Sequence, residues 1–386
     1  MVDALRTPYG RRGGALSGWH PVDLAAELLS QLVGRNGLDG ALVDDVVLGC
    51  TSQVGAQACN LARRAVLAAG WPESVPGATV DRQAASSAQA VHWAAQAIMS
   101  GAQDLVVAGG VEVMTAVPLG ASLAVPAVGK PYGRRLQERY QTGRGLLPPG
   151  LAAEEVVRRW SLRRDELDAW ALASQDRARR AQLHQPGHLI GVAPGPVPPG
   201  PAAANLLVRD EALSPPSSLA GLAALAPMYV DSGAITAANM AAEGDGAAAL
   251  LIASPQRARD LGLVAKARVV SLAVTGGAPD LWPAATIAAT AEALRRAGLA
   301  PAEVDRFEVH ESSAAAVLAW LAETGVRPER VNPEGGALAT TAPLGAVGAG
   351  LFVAAVAGLA SGGARYAIVC TAGEGGVATA CVLERA

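Results

Sequence analysis

The chain has 386 residues, of which 51% are apolar and 17% charged. That is enough hydrocarbon for several buried cores and too little charge for a disordered chain, and the length allows two or three domains. A formal charge of −3 supplies no field that would recruit nucleic acid. The four cysteines, Cys50, Cys59, Cys370 and Cys381, have no CxxC or metal-type spacing, so neither a disulfide scaffold nor a metal site is expected, and reduced thiols in the cytoplasm are. Residues 1–6 lack the basic-then-apolar layout of an export signal.

Taken in chain order, residues 23–33 read as a helix and 43–49 as a short buried strand. An Ala-rich helix is predicted over 86–99, ended by Ser100-Gly101. A strand over 104–110 follows and closes on glycines. The middle of the chain, 117–238, breaks the pattern. Between Lys130 and Arg180 twelve Lys/Arg face seven Asp/Glu, a local +5 in an otherwise acidic chain. Residues 151–181 read as one or two charged amphipathic helices and 185–201 as a Pro/Gly-rich loop. Arg134, Arg135, Arg139 and Arg144 could handle phosphates; a solvated helical insertion held by i,i+4 ion pairs explains the same charges. Further on, 284–297 reads as a helix. Residues 337–360 carry no charge, but they consist largely of Ala, Gly and Thr with Pro343 inside. A helix packed on all sides, not a membrane span, is expected there.

The early programme returns late. Gly37-Leu38 through Val46 reappears as Gly298-Leu299 through Phe307, and Ser100-Gly101 with its strand reappears as Ser361-Gly362 with residues 366–369, both at an offset of 261. Two matches on one offset indicate a duplicated β/α unit. Alternating strands and helices then imply mixed, helix-covered sheets about a pseudo-twofold axis, with a site between the copies.

Several stretches, in order and nearly end to end, resemble the thiolase family. They include Asp3-Ala4-Leu5-Arg6-Thr7-Pro8, Gly49-Cys50-Thr51-Ser52-Gln53-Val54-Gly55 and Val80-Asp81-Arg82-Gln83-Ala84-Ala85-Ser86-Ser87. Thr236-Ala237-Ala238-Asn239, Val309-His310-Glu311-Ser312-Ser313, Pro343-Leu344-Gly345 and Cys370 with its glycines continue the set. The resemblance implies an α/β fold of two duplicated β-α-β-α-β-β halves in a five-layer α-β-α-β-α core with a helical insertion. Residues 1–116 plus 239–262 would form the N-terminal half, 117–238 an inserted lid that binds coenzyme A, and 263–386 the C-terminal half.

The family performs Claisen condensation and thiolytic cleavage of 3-oxoacyl-CoA through an acyl-cysteine at a helix N-terminus, where backbone N–H groups stabilise thiolate. By this resemblance the nucleophile position is Ala84, the activating His position is Ala342, and His310 and Cys370 are the ionisable survivors. His310 and the Ala372 N–H would build an oxyanion hole. Tyr229, Ala237, Ala238, Ala241, Arg134 and Arg135 would contact coenzyme A, which is a substrate here and not a resident cofactor. A homodimer or homotetramer is implied, with a heteromeric partner as an alternative.

A methyl group cannot form a thioester, so the chain lacks the covalent step. Three readings of Ala84 stay open: a cysteine replaced on purpose, a native alanine in a non-catalytic partner subunit, or a native alanine in a ketosynthase-like enzyme that condenses or decarboxylates without an acyl-cysteine, using His310 and Cys370. Plainer roles stand beside these. Ser86 and Ser87 would cap a helix, and Glu311 would cap one or serve as an acid/base. His92 and the remaining cysteines would pack in the core, while His184 and His188 would face solvent.

Overall fold

The structure is a computed structural model that describes residues 1–124, 129–140, 146–183, 187–195, 206–213 and 217–386. Two sheets carry it. The first contains β1 (Asp3–Arg6), β2 (Gly10–Arg11), β3 (Asp45–Gly49), β4 (Gly77–Val80), β5 (Leu105–Val113) and β6 (Gly244–Ala253), in the order β1-β6-β5-β3-β4 with β2 on β6. The second contains β7 (Ala267–Gly276), β8 (Arg306–Val309), β9 (Tyr366–Gly373) and β10 (Val377–Arg385), in the order β7-β10-β9-β8. Strands β3 and β5 pair in parallel, as do β8 and β9, whereas β6 and β10 run antiparallel to their neighbours. Where β4 lies parallel to β3, Val331 makes a single parallel bridge to Phe307 of β8.

The duplication is visible in the register. Strands β3 and β8 begin at residues 45 and 306, and β5 and β9 at 105 and 366. Both pairs keep the offset read from the sequence.

The helices are α1 (Pro21–Gly34), α2 (Leu61–Ala68), α3 (Ser86–Met99), α4 (Arg134–Tyr140), α5 (Pro149–Trp160), α6 (Arg164–Gln182), α7 (Leu219–Ala223), α8 (Pro255–Asp260), α9 (Thr286–Ala297), α10 (Ala314–Thr324), α11 (Ala337–Thr340) and α12 (Leu344–Ala360). Helices α1 and α2 cover the outer face of the first sheet, and α9 with α10 cover the outer face of the second. Between the sheets lie α3 and α12. The result is a layered α/β core in which β5 and β6 are covered on both faces, which is why they are buried at almost every position rather than alternating.

The uncharged run at 337–360 is not one helix as expected: 341–343 part α11, which packs on α6, from α12, whose composition reflects burial between the two sheets. Small residues there permit close approach: a Cβ on Gly345 would sit 2.5 Å from the Val111 carbonyl, and one on Gly49 2.3 Å from the Ser87 nitrogen. No helix among the described residues is long and apolar enough to cross a membrane. In the middle of the chain, α5 and α6 pack on α10, and α6 also on α11.

His92 occupies this central layer. It is fully buried with its ring edge-on to Phe352, and neither ring nitrogen has a hydrogen-bond partner. Burial, helped by the Arg82 charge, drops its pKa to about 3. The unfolded chain therefore takes up a proton near pH 6.5 that the folded chain refuses until about pH 3, and stability is lost on acidification through that window. His92→Leu removes the contribution. Its gain in denaturation midpoint over the wild type should be larger at pH 5 than at pH 8, and a pH-independent difference would contradict the assignment.

Candidate active site

The site forms where the N-termini of α3 and α12 meet. Before α3 the chain makes a tight turn. Gln83 has a positive φ of 52°, its N–H donates to the Asp81 carboxylate at 2.8 Å, and the Ser86 hydroxyl accepts from the Arg82 N–H at 2.8 Å. Ser86 also donates to the Gln83 carbonyl, and Ser87 accepts from the Ala349 N–H at 2.9 Å, tying α3 to α12. Both serines are buried and hydrogen-bonded within the fold; the N-cap of α3 is Ala85 and neither hydroxyl caps it, so the expected capping role is not met, and neither serine is available as a nucleophile. The turn presents the Ala84 methyl.

Opposite it stands Ala342, the second residue before α12. The methyl groups of Ala84 and Ala342 pack in one small apolar cluster with Ala337 and Val347, bordered by Ala241 and Leu344. Residues 239–243 thread through this region. The Ala241 N–H donates to the Ser312 carbonyl at 3.1 Å, and the Ala342 N–H donates to the Ala242 carbonyl at 2.9 Å. The cavity that results is small, with about 70 Å³ open to the centre of a water-sized sphere. Its wall joins Ala84, Ala241, His310 and Ala342 to the apolar side chains of Met114, Leu119, Met240 and Trp282, with Gln83, Glu243 and Glu374 supplying polar atoms.

His310 follows β8 and is 3% exposed. Its backbone N–H donates to the Cys370 carbonyl at 3.0 Å. Neither ring nitrogen has a hydrogen-bond partner of regular geometry. Burial lowers the pKa to about 4, and only the Ala372 carbonyl facing the ring opposes that. At neutral pH the ring is therefore uncharged: it can donate an N–H to a carbonyl oxygen but brings no positive charge.

Cys370 does not join it. Its thiol is fully buried, lies 3.1 Å from the Thr290 hydroxyl in the core under α9 and α10, and is pushed up to about 12 by burial. The sequence expectation of Cys370 as a working acid/base is corrected by this placement, since strand alternation turns its side chain to the outer face of the second sheet. Ala372, whose N–H was expected in an oxyanion hole, turns its carbonyl to the His310 ring.

Glu311 is not an acid/base of the cavity. Its carboxylate accepts from Trp170 Nε1 (3.0 Å), Ser174 Oγ (2.7 Å), Asn332 Nδ2 (3.0 Å) and the Leu338 N–H (3.2 Å), clamping α6 to α11 and to the end of β8. The residue missed in the sequence is Glu374, in the hairpin turn between β9 and β10. The only sign of it was an acidic residue set among glycines at 373–376.

The residues match thiolase family models over nearly the whole chain, the N-terminal domain over 1–256 and the C-terminal domain over 263–385. The chain belongs to the thiolase family. It is 39% identical to a steroid 3-ketoacyl-CoA thiolase of Mycobacterium tuberculosis, covering 100% of this chain and 93% of that one. It is also 39% identical to a β-ketoadipyl-CoA thiolase of Escherichia coli, over 100% and 98% of the two chains. A 3-ketoacyl-CoA thiolase of Aliivibrio fischeri is 34% identical, over 99% and 95%.

Within this thiolase fold the remaining expected contacts divide. Ala237 and Ala238 line a neighbouring cavity with Gln175, Arg179, Leu213 and Leu338, which shares Met240 and Ala242 with the first. Tyr229 lines neither of these two; half-exposed, it packs over Gly150. Arg134 and Arg135 are exposed on α4, Arg134 paired with Glu138, and neither lines these cavities. Arg144 and His184 lie outside the described residues. His188 is not solvent-facing as expected but half-buried, lining a third cavity with Arg6, Tyr9, Gln182 and Glu308, with its pKa lowered to about 3 by burial and nearby arginines. Cys50 and Cys381 are buried as expected, whereas Cys59 is exposed.

Thr341, at the position where the resemblance expects a glycine, has φ 77° and ψ 169°. This region is open essentially to glycine alone, and a β-branched residue there stores about 1–3 kcal/mol. Thr341→Gly relieves that strain while adding about 0.5–1 kcal/mol of unfolded-state entropy. The expected net effect is a stabilisation of about 1 kcal/mol, read as a higher midpoint in a urea melt; a lower midpoint would show that the threonine is unstrained.

Proposed function

We propose that this protein is a thiolase-type acyltransferase that acts on acyl-CoA thioesters without forming an acyl-enzyme. One observation carries the reading: the two positions that would bear the nucleophile and its base hold methyl groups in one apolar cluster, while a buried, neutral His310 still lines the same cavity. Two helix N-termini flank the cavity, and partial positive charge there favours a polarised thioester carbonyl. Met114, Leu119 and Trp282 offer an apolar bed for the acyl chain. The relatives' action on 3-ketoacyl-CoA and β-ketoadipyl-CoA supports this substrate class. The proposal includes a cytoplasmic homodimer or homotetramer, with coenzyme A as a diffusible substrate component.

The same methyl pair favours a second reading, a partner subunit that binds the thioester and leaves turnover to a cysteine-bearing paralogue. Calorimetry and intact-mass spectrometry test the proposal. Butanoyl-CoA should bind, and prolonged incubation should leave the protein mass unchanged. A covalent acyl adduct anywhere on the chain would overturn the non-covalent reading, and absence of binding would overturn the substrate class. Ala342→Trp, which fills the cavity, should weaken binding by at least about tenfold, the equivalent of about 1.4 kcal/mol.

A further inference from the structure

We infer that Glu374 is a general base that removes a proton from the α-carbon of a bound acyl-CoA thioester, with His310 holding the enolate oxygen. The inference rests on the proposed thioester site and adds a reaction step to it.

The placement of Glu374 is fixed by backbone. Its hairpin turn carries Gly375 and Gly376 at φ 84° and 83°. Gly373 approaches the Ala84 turn so closely that a Cβ there would lie 2.8 Å from both the Arg82 carbonyl and the Gln83 side chain. On the far side the Gly277 N–H donates to the Gly376 carbonyl at 2.7 Å. The turn is thereby seated on the segment that presents Ala84, and Glu374 faces the cavity together with Gln83, Ala84 and His310.

Its carboxylate is uncommitted: among the described residues no cation or donor pairs with it, whereas Glu243 on the same wall is bound to Arg12 at 3.0 Å. The buried carboxylates Glu112 and Glu311, in contrast, are held by four or more donors each. A carboxylate kept in a cavity without a structural partner is free to take a proton. Burial and the neighbouring Asp81 charge both raise its proton affinity above the ordinary carboxylate range, which suits a base working near neutrality.

The two groups divide the work. The α C–H bond breaks, its proton goes to the Glu374 carboxylate, and its electron pair passes to the thioester carbonyl oxygen. Neutral His310 can donate an N–H to that oxygen. No sulfur nucleophile is required. The Glu374 carboxyl, now protonated, exchanges that proton with solvent and then reprotonates the α-carbon, so that in heavy water the thioester gains deuterium there.

The test is α-deuteration of butanoyl-CoA in D2O, followed by mass spectrometry, with calorimetry on the same samples. The wild type should exchange above the enzyme-free rate. Glu374→Gln should bind butanoyl-CoA within about threefold of the wild type and lose exchange by about 100-fold or more, the usual size of a general-base contribution. Glu374→Asp should retain part of the rate. Binding without exchange in the wild type, or undiminished exchange in Glu374→Gln, would overturn the inference and leave the thioester site standing; failure to bind at all would overturn both.

Discussion

Close contact between small residues in the central layer governs the rest of this structure. Helices α3 and α12 reach their positions because Gly49, Gly110, Gly345 and Gly348 have no side chain to hold neighbouring backbone away; a Cβ on Gly110 would strike the Gly345 carbonyl. The two helices can therefore bring their first turns to one point. Glu112 reinforces the arrangement from below, accepting from the N–H groups of Thr51 and Ser52 near β3 and of Gly345 at the start of α12. Fully buried and surrounded by donors, it joins the end of the first sheet's β3 to the helix of the second half. The cavity is a by-product of that convergence.

Much of this was legible because repetition and burial leave sequence traces. The 261-residue offset survives because equivalent strands must start at equivalent points of equivalent sheets, and the charge-free stretch over 344–360 survives because a helix between two sheets has no wet face. What the sequence could not show was direction. Cys370 stands in the motif where an active thiol belongs, but strand alternation aims it at Thr290 instead of the cavity. Glu311 adjoins His310 in sequence, yet its carboxylate serves α6 and α11. Glu374 escaped notice for the opposite reason: a hairpin turn carries no periodicity, and only the glycine-permitted approach of that turn to Gln83 reveals what it faces.

The methyl groups of Ala84 and Ala342 give one side of the cavity an apolar lining. Burial keeps His310 neutral. The ionisable groups that remain on the cavity wall are carboxylates and this one imidazole, set against an apolar floor. Such an environment favours polarising a carbonyl and moving a proton beside it over displacing a leaving group through a covalent intermediate.

The clamp at Glu311 has a mechanical consequence. Trp170 and Ser174 belong to α6, Leu338 to α11, and Asn332 follows β8 in the chain, yet all four share one carboxyl group. Pulling α6 away from α11 would leave that group and its donors unpaired together, so the two helices and the end of β8 part only by giving up all four bonds at once.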